Sequence, residues 1–305
     1  MDTDIFIGLV FLVLLSVILC LFYIILSRKK SGKCFGDYSQ FKSIGKGGMA
    51  TIYCAKNKIL KRIVVVKVMD SGLMKDKDLV YKFLKEGENL QRINERFPDS
   101  PVVKVLEYSH PSSTGPYFIA MEYLSGINLL QAIKSGNIPS LKGQIFILKE
   151  VARALHASHS LGILHRDISP DNIIINQNKV TLIDFGIAKQ EFSEYRTLHG
   201  ALVGKPFYMS PEHSAGKMVD DKTDIYSLGA IWFYMLERRP IYDSPNIIDI
   251  LKMHQECPIP EITASIPQDI MLFIRQMLHK TPSARPDARE VVSRMEYFLS
   301  REDLN

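Results

Sequence analysis

The stretch His165-Arg166-Asp167-Ile168-Ser169-Pro170-Asp171-Asn172, with Asp184-Phe185-Gly186 starting twelve residues after Asn172, decides the fold. Two acids and an amide stand here where a metal-bound phosphate can be handled. Between the motifs, Ile173-Ile174-Ile175 and Val180-Thr181-Leu182-Ile183 read as short strands joined by Asn176-Gln177-Asn178-Lys179, because apolar β-formers flank a polar, Asn-rich tetrapeptide. A hairpin of that length turns the chain back on itself and brings Asp167, Asn172 and Asp184 together.

Upstream, the chain reads mainly as sheet. Phe41-Lys42-Ser43-Ile44, then Gly45-Lys46-Gly47-Gly48-Met49-Ala50, then Thr51-Ile52-Tyr53-Cys54-Ala55 spell strand, glycine-rich turn, strand. Glycines let backbone N–H groups press close to a phosphate, but any tight hairpin uses them too. The run Ile63-Val64-Val65-Val66-Lys67-Val68 carries a lysine near its end, which is either a solvated edge residue or a charge aimed into a cleft. Residues 76–96 predict a helix with Leu79, Val80, Phe83, Leu90 and Ile93 on its apolar stripe and Glu86 near that stripe. A carboxylate so placed needs a cation, and Lys67 is the nearest upstream candidate.

Strands are expected at 102–108 and 117–123. From Leu141 onward the pattern predicts helices at 144–161, 223–237, 246–255, 267–279 and 286–299, with the hairpin as the sole β element. A sheet-rich front and a helix-rich back suggest two lobes with the cleft between them.

The 305 residues are 46% apolar and 23% charged, an ordinary balance for a core-forming chain. The formal charge of +5 is too weak to suggest nucleic-acid binding. Cysteines at 20, 34, 54 and 257 have no paired spacing, which argues against a disulfide framework or structural zinc. Residues 5–26 are 22 in a row without a charge, and as a helix they would cover the ~30 Å hydrocarbon core of a bilayer. Asp2 and Asp4 stand where a cleaved signal has its basic region, and Arg28, Lys29, Lys30 and Lys33 follow the run. The expectation is a transmembrane helix with the N-terminus outside, the rest in the cytoplasm and the lipid bilayer as a partner. The expected divisions are a span at 1–27, a basic linker at 28–37, a small lobe with hinge at 38–124 and a large lobe at 125–305.

Taken together, these motifs resemble the eukaryotic-type (Hanks-type) protein kinase superfamily over about residues 38–300, and look most like bacterial membrane-anchored Ser/Thr kinases. The resemblance implies an α+β, bilobal kinase fold, preceded here by the transmembrane helix. It also implies ATP with Mg²⁺ (or Mn²⁺), protein substrates phosphorylated on Ser/Thr hydroxyls, and self-association for autophosphorylation. By position, Ile44, Gly45, Gly47, Gly48 and Ile52 would line the ATP site with Met121, Glu122 and Leu124 of the hinge, and Ala50 stands where the family often has a third glycine. Lys67 would hold the α- and β-phosphates and Glu86 would fix the lysine. Asp167 would accept the hydroxyl proton, and Asn172 and Asp184 would bind the metal. His165 falls among packed apolar side chains with Leu90 and Phe185. Asp224 would anchor the catalytic-loop backbone, and Glu212 would pair with Arg285.

Two positions depart from the family. Ser169 stands where a lysine usually contacts the γ-phosphate, and Lys205, after Gly204, stands where a threonine is usual. One reading is that Lys205 supplies the missing cation with the Ser169 hydroxyl as partner; the other is two independent drifts that leave a slower enzyme. Arg166 would meet an activation-segment phosphate, with Thr197 and Ser193, and less so Tyr195, as acceptors. The competing functions are a catalytically weak kinase-fold scaffold, favoured by the missing lysine, and a small-molecule phosphotransferase, disfavoured by Ser210-Pro211-Glu212.

Overall fold

The computed structural model describes residues 37–110, 115–177, 179–185 and 206–304. Five antiparallel strands form the first sheet: β1 (Tyr38–Lys46), β2 (Ala50–Asn57), β3 (Ile63–Met69), β4 (Val105–Tyr108) and β5 (Phe118–Glu122), in spatial order β1-β2-β3-β5-β4. The two-residue period of β3 sends Val64, Val66 and Val68 into one apolar cluster and leaves Lys67 on the opposite face. There it meets α1 (Lys77–Arg96). Asp76 starts this helix by accepting the N–H groups of Asp78 and Leu79, and Phe83, Glu86, Leu90 and Ile93 are buried along one side. Gly87 lets the helix lie close to β4, since a Cβ there would come within 2.9 Å of the Tyr108 ring.

The second part is built on helices. After β6 (Ile127–Asn128) come α2 (Leu129–Lys134) and α3 (Leu141–His159), then β7 (Ile173–Asn176) and β8 (Lys179–Leu182). Next follow α4 (Pro211–Ser214), α5 (Asp221–Glu237), α6 (Ile247–Glu256), α7 (Gln268–Met277) and α8 (Ala288–Leu299). Helix α5 is covered nearly all round, with Tyr226, Trp232 and Phe233 fully buried. Its Gly229 admits α7, because a Cβ would sit 3.0 Å from the Met277 Cβ. The large core of this part reaches up to Leu90 and Ile93 of α1. The lobes are also joined at the backbone, where Val103 N–H donates to Leu182 O at 3.0 Å and Leu182 N–H to Pro101 O at 2.8 Å.

Most predicted helices lie within about three residues of the observed ones at each end. The expectation of a lone hairpin is corrected: Ile127 and Asn128 pair with Ile175 and Ile174, making a three-stranded sheet β6-β7-β8. Two residues are too few to show a sequence period, so the strand was not legible. Residues 102–104 also do not belong to β4: Val103 N–H donates to Leu182 O, and Lys104 O accepts from Glu122 N–H at the end of β5.

The transmembrane helix and the single-pass topology drawn from it are corrected as well. No helix among the described residues is long and apolar enough to cross a membrane, and residues 5–26 lie outside the described residues. An uncharged run of sufficient length meets a necessary condition for a span without fixing a conformation or a location.

Candidate active site

The loop before β7 is held from below by Asp224, which lies in the first turn of α5 and is 1% exposed. Its carboxylate accepts the backbone N–H of His165 at 2.9 Å and of Arg166 at 2.8 Å, and meets His159 Nε2 at 2.8 Å. Burial would raise this carboxyl, but the hydrogen bonds and charge of His159 and the His165 N–H outweigh it and leave it below the ordinary aspartate value. Arg166 takes a left-handed φ of 64°, a conformation that these two bonds hold in place.

Within the loop, Asn172 Nδ2 donates to the Asp167 carbonyl at 2.8 Å and to its Oδ2 at 3.2 Å. The base candidate and the amide are thus fixed against each other. Ser169 is buried, and its hydroxyl donates weakly to the Asp167 carbonyl at 3.4 Å. The Asp167 N–H donates to His165 Nδ1, so the imidazole proton sits on Nε2 and is donated to Ile183 O at 3.1 Å. The ring is fully buried with its centroid 4.7 Å from that of Phe185, and burial lowers its pKa. His165 is a packed, neutral side chain.

Across the cleft, Lys67 Nζ lies 2.7 and 2.9 Å from the two Glu86 oxygens and 2.6 Å from Asp184 Oδ1. Among the described residues one ammonium serves two carboxylates, with Glu86 buried and Lys67 and Asp184 partly exposed. Burial alone would lower Lys67, but Asp184 and then Glu86 hold it above the ordinary lysine value. Burial pushes Glu86 up to about 7, with Lys67 opposing and the Asp184 charge adding to the rise.

This arrangement bears on cation binding. Asp184 and the Asn172 amide are hard oxygen donors of the kind magnesium or manganese takes. Asn172 turns its nitrogen toward Asp167, so its oxygen is the end presented elsewhere. A divalent cation at Asp184 would add positive charge beside two carboxylates that, among the described residues, share the Lys67 ammonium. The residues present fit such an ion.

The roof and hinge follow from strand register. Gly45 pairs with Ile52, Ile52 with Lys67 and Met121 with Val65, placing Ile52, Val65, Lys67 and Met121 on one face of the sheet. Gly47 N–H closes the glycine turn on Ala50 O at 2.8 Å, and Ile44 is half exposed beside it. Glu122 is fastened at the back by its N–H to Lys104 O and by Lys104 N–H to its Oε1, fixing the strand end that leads into Tyr123 and Leu124. Farther away, Arg285 grips Glu212 through two bonds of 2.7 and 2.8 Å.

Asp167 with Asn172, and Lys67 with Glu86 and Asp184, thus form two hydrogen-bonded groups, linked where Ile183 N–H, next to Asp184, donates to the Asn172 carbonyl at 2.9 Å. Lys205, Ser193, Tyr195 and Thr197, together with the proposed Ser169–Lys205 contact, lie outside the described residues. Sequence reading missed His159, since nothing local links it to Asp224, and missed the Lys67–Asp184 contact across 117 residues. A cavity of about 580 Å³ lined by Phe273, Gln276, Arg289 and Arg294 shares no residue with this cleft.

Residues 38–298 match the family described as protein kinase domain, and the chain belongs to that family. It is 31% identical over 263 residues to a probable serine/threonine-protein kinase of Clostridium acetobutylicum, covering 85% of this chain and 39% of that protein. Against serine/threonine-protein kinase PrkC of Bacillus subtilis it is 30% identical, covering 84% and 39%, and against PknB of Mycobacterium tuberculosis 31%, covering 81% and 40%. The chain spans about two fifths of the length of these relatives. Among solved structures, the PknI kinase domain of M. tuberculosis (C20A mutant) superposes with a TM-score of 0.64 at 24% identity, covering 88% of this chain and 97% of that one, which shows a shared fold.

Proposed function

We propose that this chain is an ATP-dependent Ser/Thr protein kinase using Mg²⁺ or Mn²⁺. The observation that carries the reading is the pair of linked groups, Lys67 with Glu86 and Asp184, and Asp167 with Asn172. Lys67, positioned by Glu86, holds the α- and β-phosphates; Asp184 with Asn172 would hold the metal, which would supply positive charge to offset that of the phosphates. Asp167 is oriented by Asn172 and accepts the proton of an acceptor hydroxyl. The hydroxyl oxygen bonds to the γ-phosphorus as the bond to the bridging oxygen breaks, leaving ADP. Lys205 supplies the γ-phosphate cation that Ser169 cannot, with the Ser169 hydroxyl as its hydrogen-bond partner. Protein substrates, and a second copy phosphorylated on Thr197 or Ser193, are the acceptors.

Transfer of label from γ-labelled ATP to a generic protein acceptor, with Asp184→Ala as the blank, tests this. Acid-stable label on Ser or Thr is expected. Absence of label on any protein overturns the reading in favour of a kinase-fold scaffold. Phosphosite mapping of wild type against Asp167→Asn tests autophosphorylation, which is excluded if the mutant retains every site.

A further inference from the structure

The turn joining β2 to β3 carries a chemistry that phosphoryl transfer does not use. Residues 58–63 are all exposed, and three are large aliphatics: Ile59 is 69%, Leu60 52% and Ile63 55% exposed. Single exposed aliphatics are ordinary on a protein surface. Three within five residues at one hairpin tip are a feature. Lys56, Lys58, Lys61 and Arg62 are interleaved with them, and residues 56–63 contain no acid. The acids nearby are Asp37, whose carbonyl accepts the Lys58 N–H at 2.8 Å, and Glu107, hydrogen-bonded to the Tyr38 side chain on β1. Among the described residues, Lys56, Lys61 and Arg62 outnumber these two acids and leave the tip positive.

The turn has a defined shape. Asn57 is 6% exposed, donates its N–H to Arg62 O at 2.9 Å and accepts the Leu60 N–H on Oδ1 at 2.7 Å. Lys61 takes the left-handed conformation, with φ 51°, that closes the loop. Ile59 and Leu60 are therefore held at the end of the hairpin by bonds that leave their side chains in solvent.

We propose that this turn is a contact surface for anionic lipid headgroups. Ile59, Leu60 and Ile63 enter the interfacial layer while Lys56, Lys58, Lys61 and Arg62 lie among the headgroup charges. A negatively charged, partly apolar surface suits this mixture of exposed aliphatic and cationic side chains. The contact is peripheral and involves no span.

The test uses the full chain with Ile59→Trp. The chain has one tryptophan, and Trp232 is fully buried, so an indole at the tip reports that site alone. On vesicles of brominated phosphatidylglycerol its emission shifts to the blue and is quenched. Quenching is at least tenfold weaker on brominated phosphatidylcholine, and adding Lys58→Glu, Lys61→Glu and Arg62→Glu lowers the phosphatidylglycerol signal at least tenfold. No quenching by phosphatidylglycerol, or equal quenching by both lipids, overturns the proposal. An emission shift with soluble polyglutamate but not with lipid also overturns it and reassigns the tip to an acidic protein. Unchanged circular dichroism shows that the variants are folded.

Discussion

Two buried carboxylates, each bound to a cation at 2.7 Å, behave in opposite ways. Glu212 faces Arg285 through two bonds, accepts a third from the Thr223 hydroxyl at 2.7 Å, and is held down to about 2 although burial opposes this. Arg285 gives its remaining donors to the carbonyls of His279, Lys222 and Lys280, so both partners are saturated. Glu86 shares its single ammonium with Asp184 and is pushed up to about 7. The difference lies in stoichiometry rather than in distance. A closed one-to-one pair fixes a structure, and two carboxylates that share one ammonium among the described residues make a place that suits a further cation.

Removing one partner should therefore have different consequences in the two places. Arg285→Ala leaves Glu212 buried without its cation and should cost about 3–5 kcal/mol in urea unfolding. A loss below about 1 kcal/mol would show that the pair is not structural. Glu86→Gln should lower transfer by about 10²-fold, because Lys67 loses its orientation, while unfolding stability is held or raised. A large loss of stability in that variant would erase the contrast.

The pH dependence sharpens it in nucleotide-free protein. Glu212 is depressed from 4.5 to about 2, so its contribution is present above pH 4.5 and is lost as pH falls toward 2. Glu86 is raised from 4.5 to about 7, so its contribution is full below pH 4.5 and is lost as pH rises through 7. Melting curves across pH should show Glu212→Gln flattening the acid limb and Glu86→Gln flattening the rise in stability from pH 7 down to 4.5. Identical effects of the two variants would break the comparison. The smallest effect belongs to Lys205→Ala, expected to lower kcat about tenfold, and an unchanged kcat would leave Ser169 without a substitute cation.

Much of the cleft was legible from sequence because its parts are local. The 165–172 loop and the hairpin after it each lie within a few residues of what they organise. Lys67 and Glu86 were paired on the polarity of two apolar patterns. Elements as short as Ile127–Asn128 and Leu129–Lys134 were not legible, since they are set by packing against β7 and the catalytic loop rather than by a period of their own.

By itself, then, the sequence determined the order of elements, the two-part organisation and which side chains carry charge into the cleft, because strand and helix periods follow from backbone geometry. Tertiary structure decided how those charges are shared. Asp224 holds the backbone of His165 and Arg166 from nearly sixty residues away, and Lys67 divides its ammonium between Glu86 and Asp184. Hydrogen bonding and Coulomb energy depend on spacing in three dimensions, and that spacing exists only once the chain is folded.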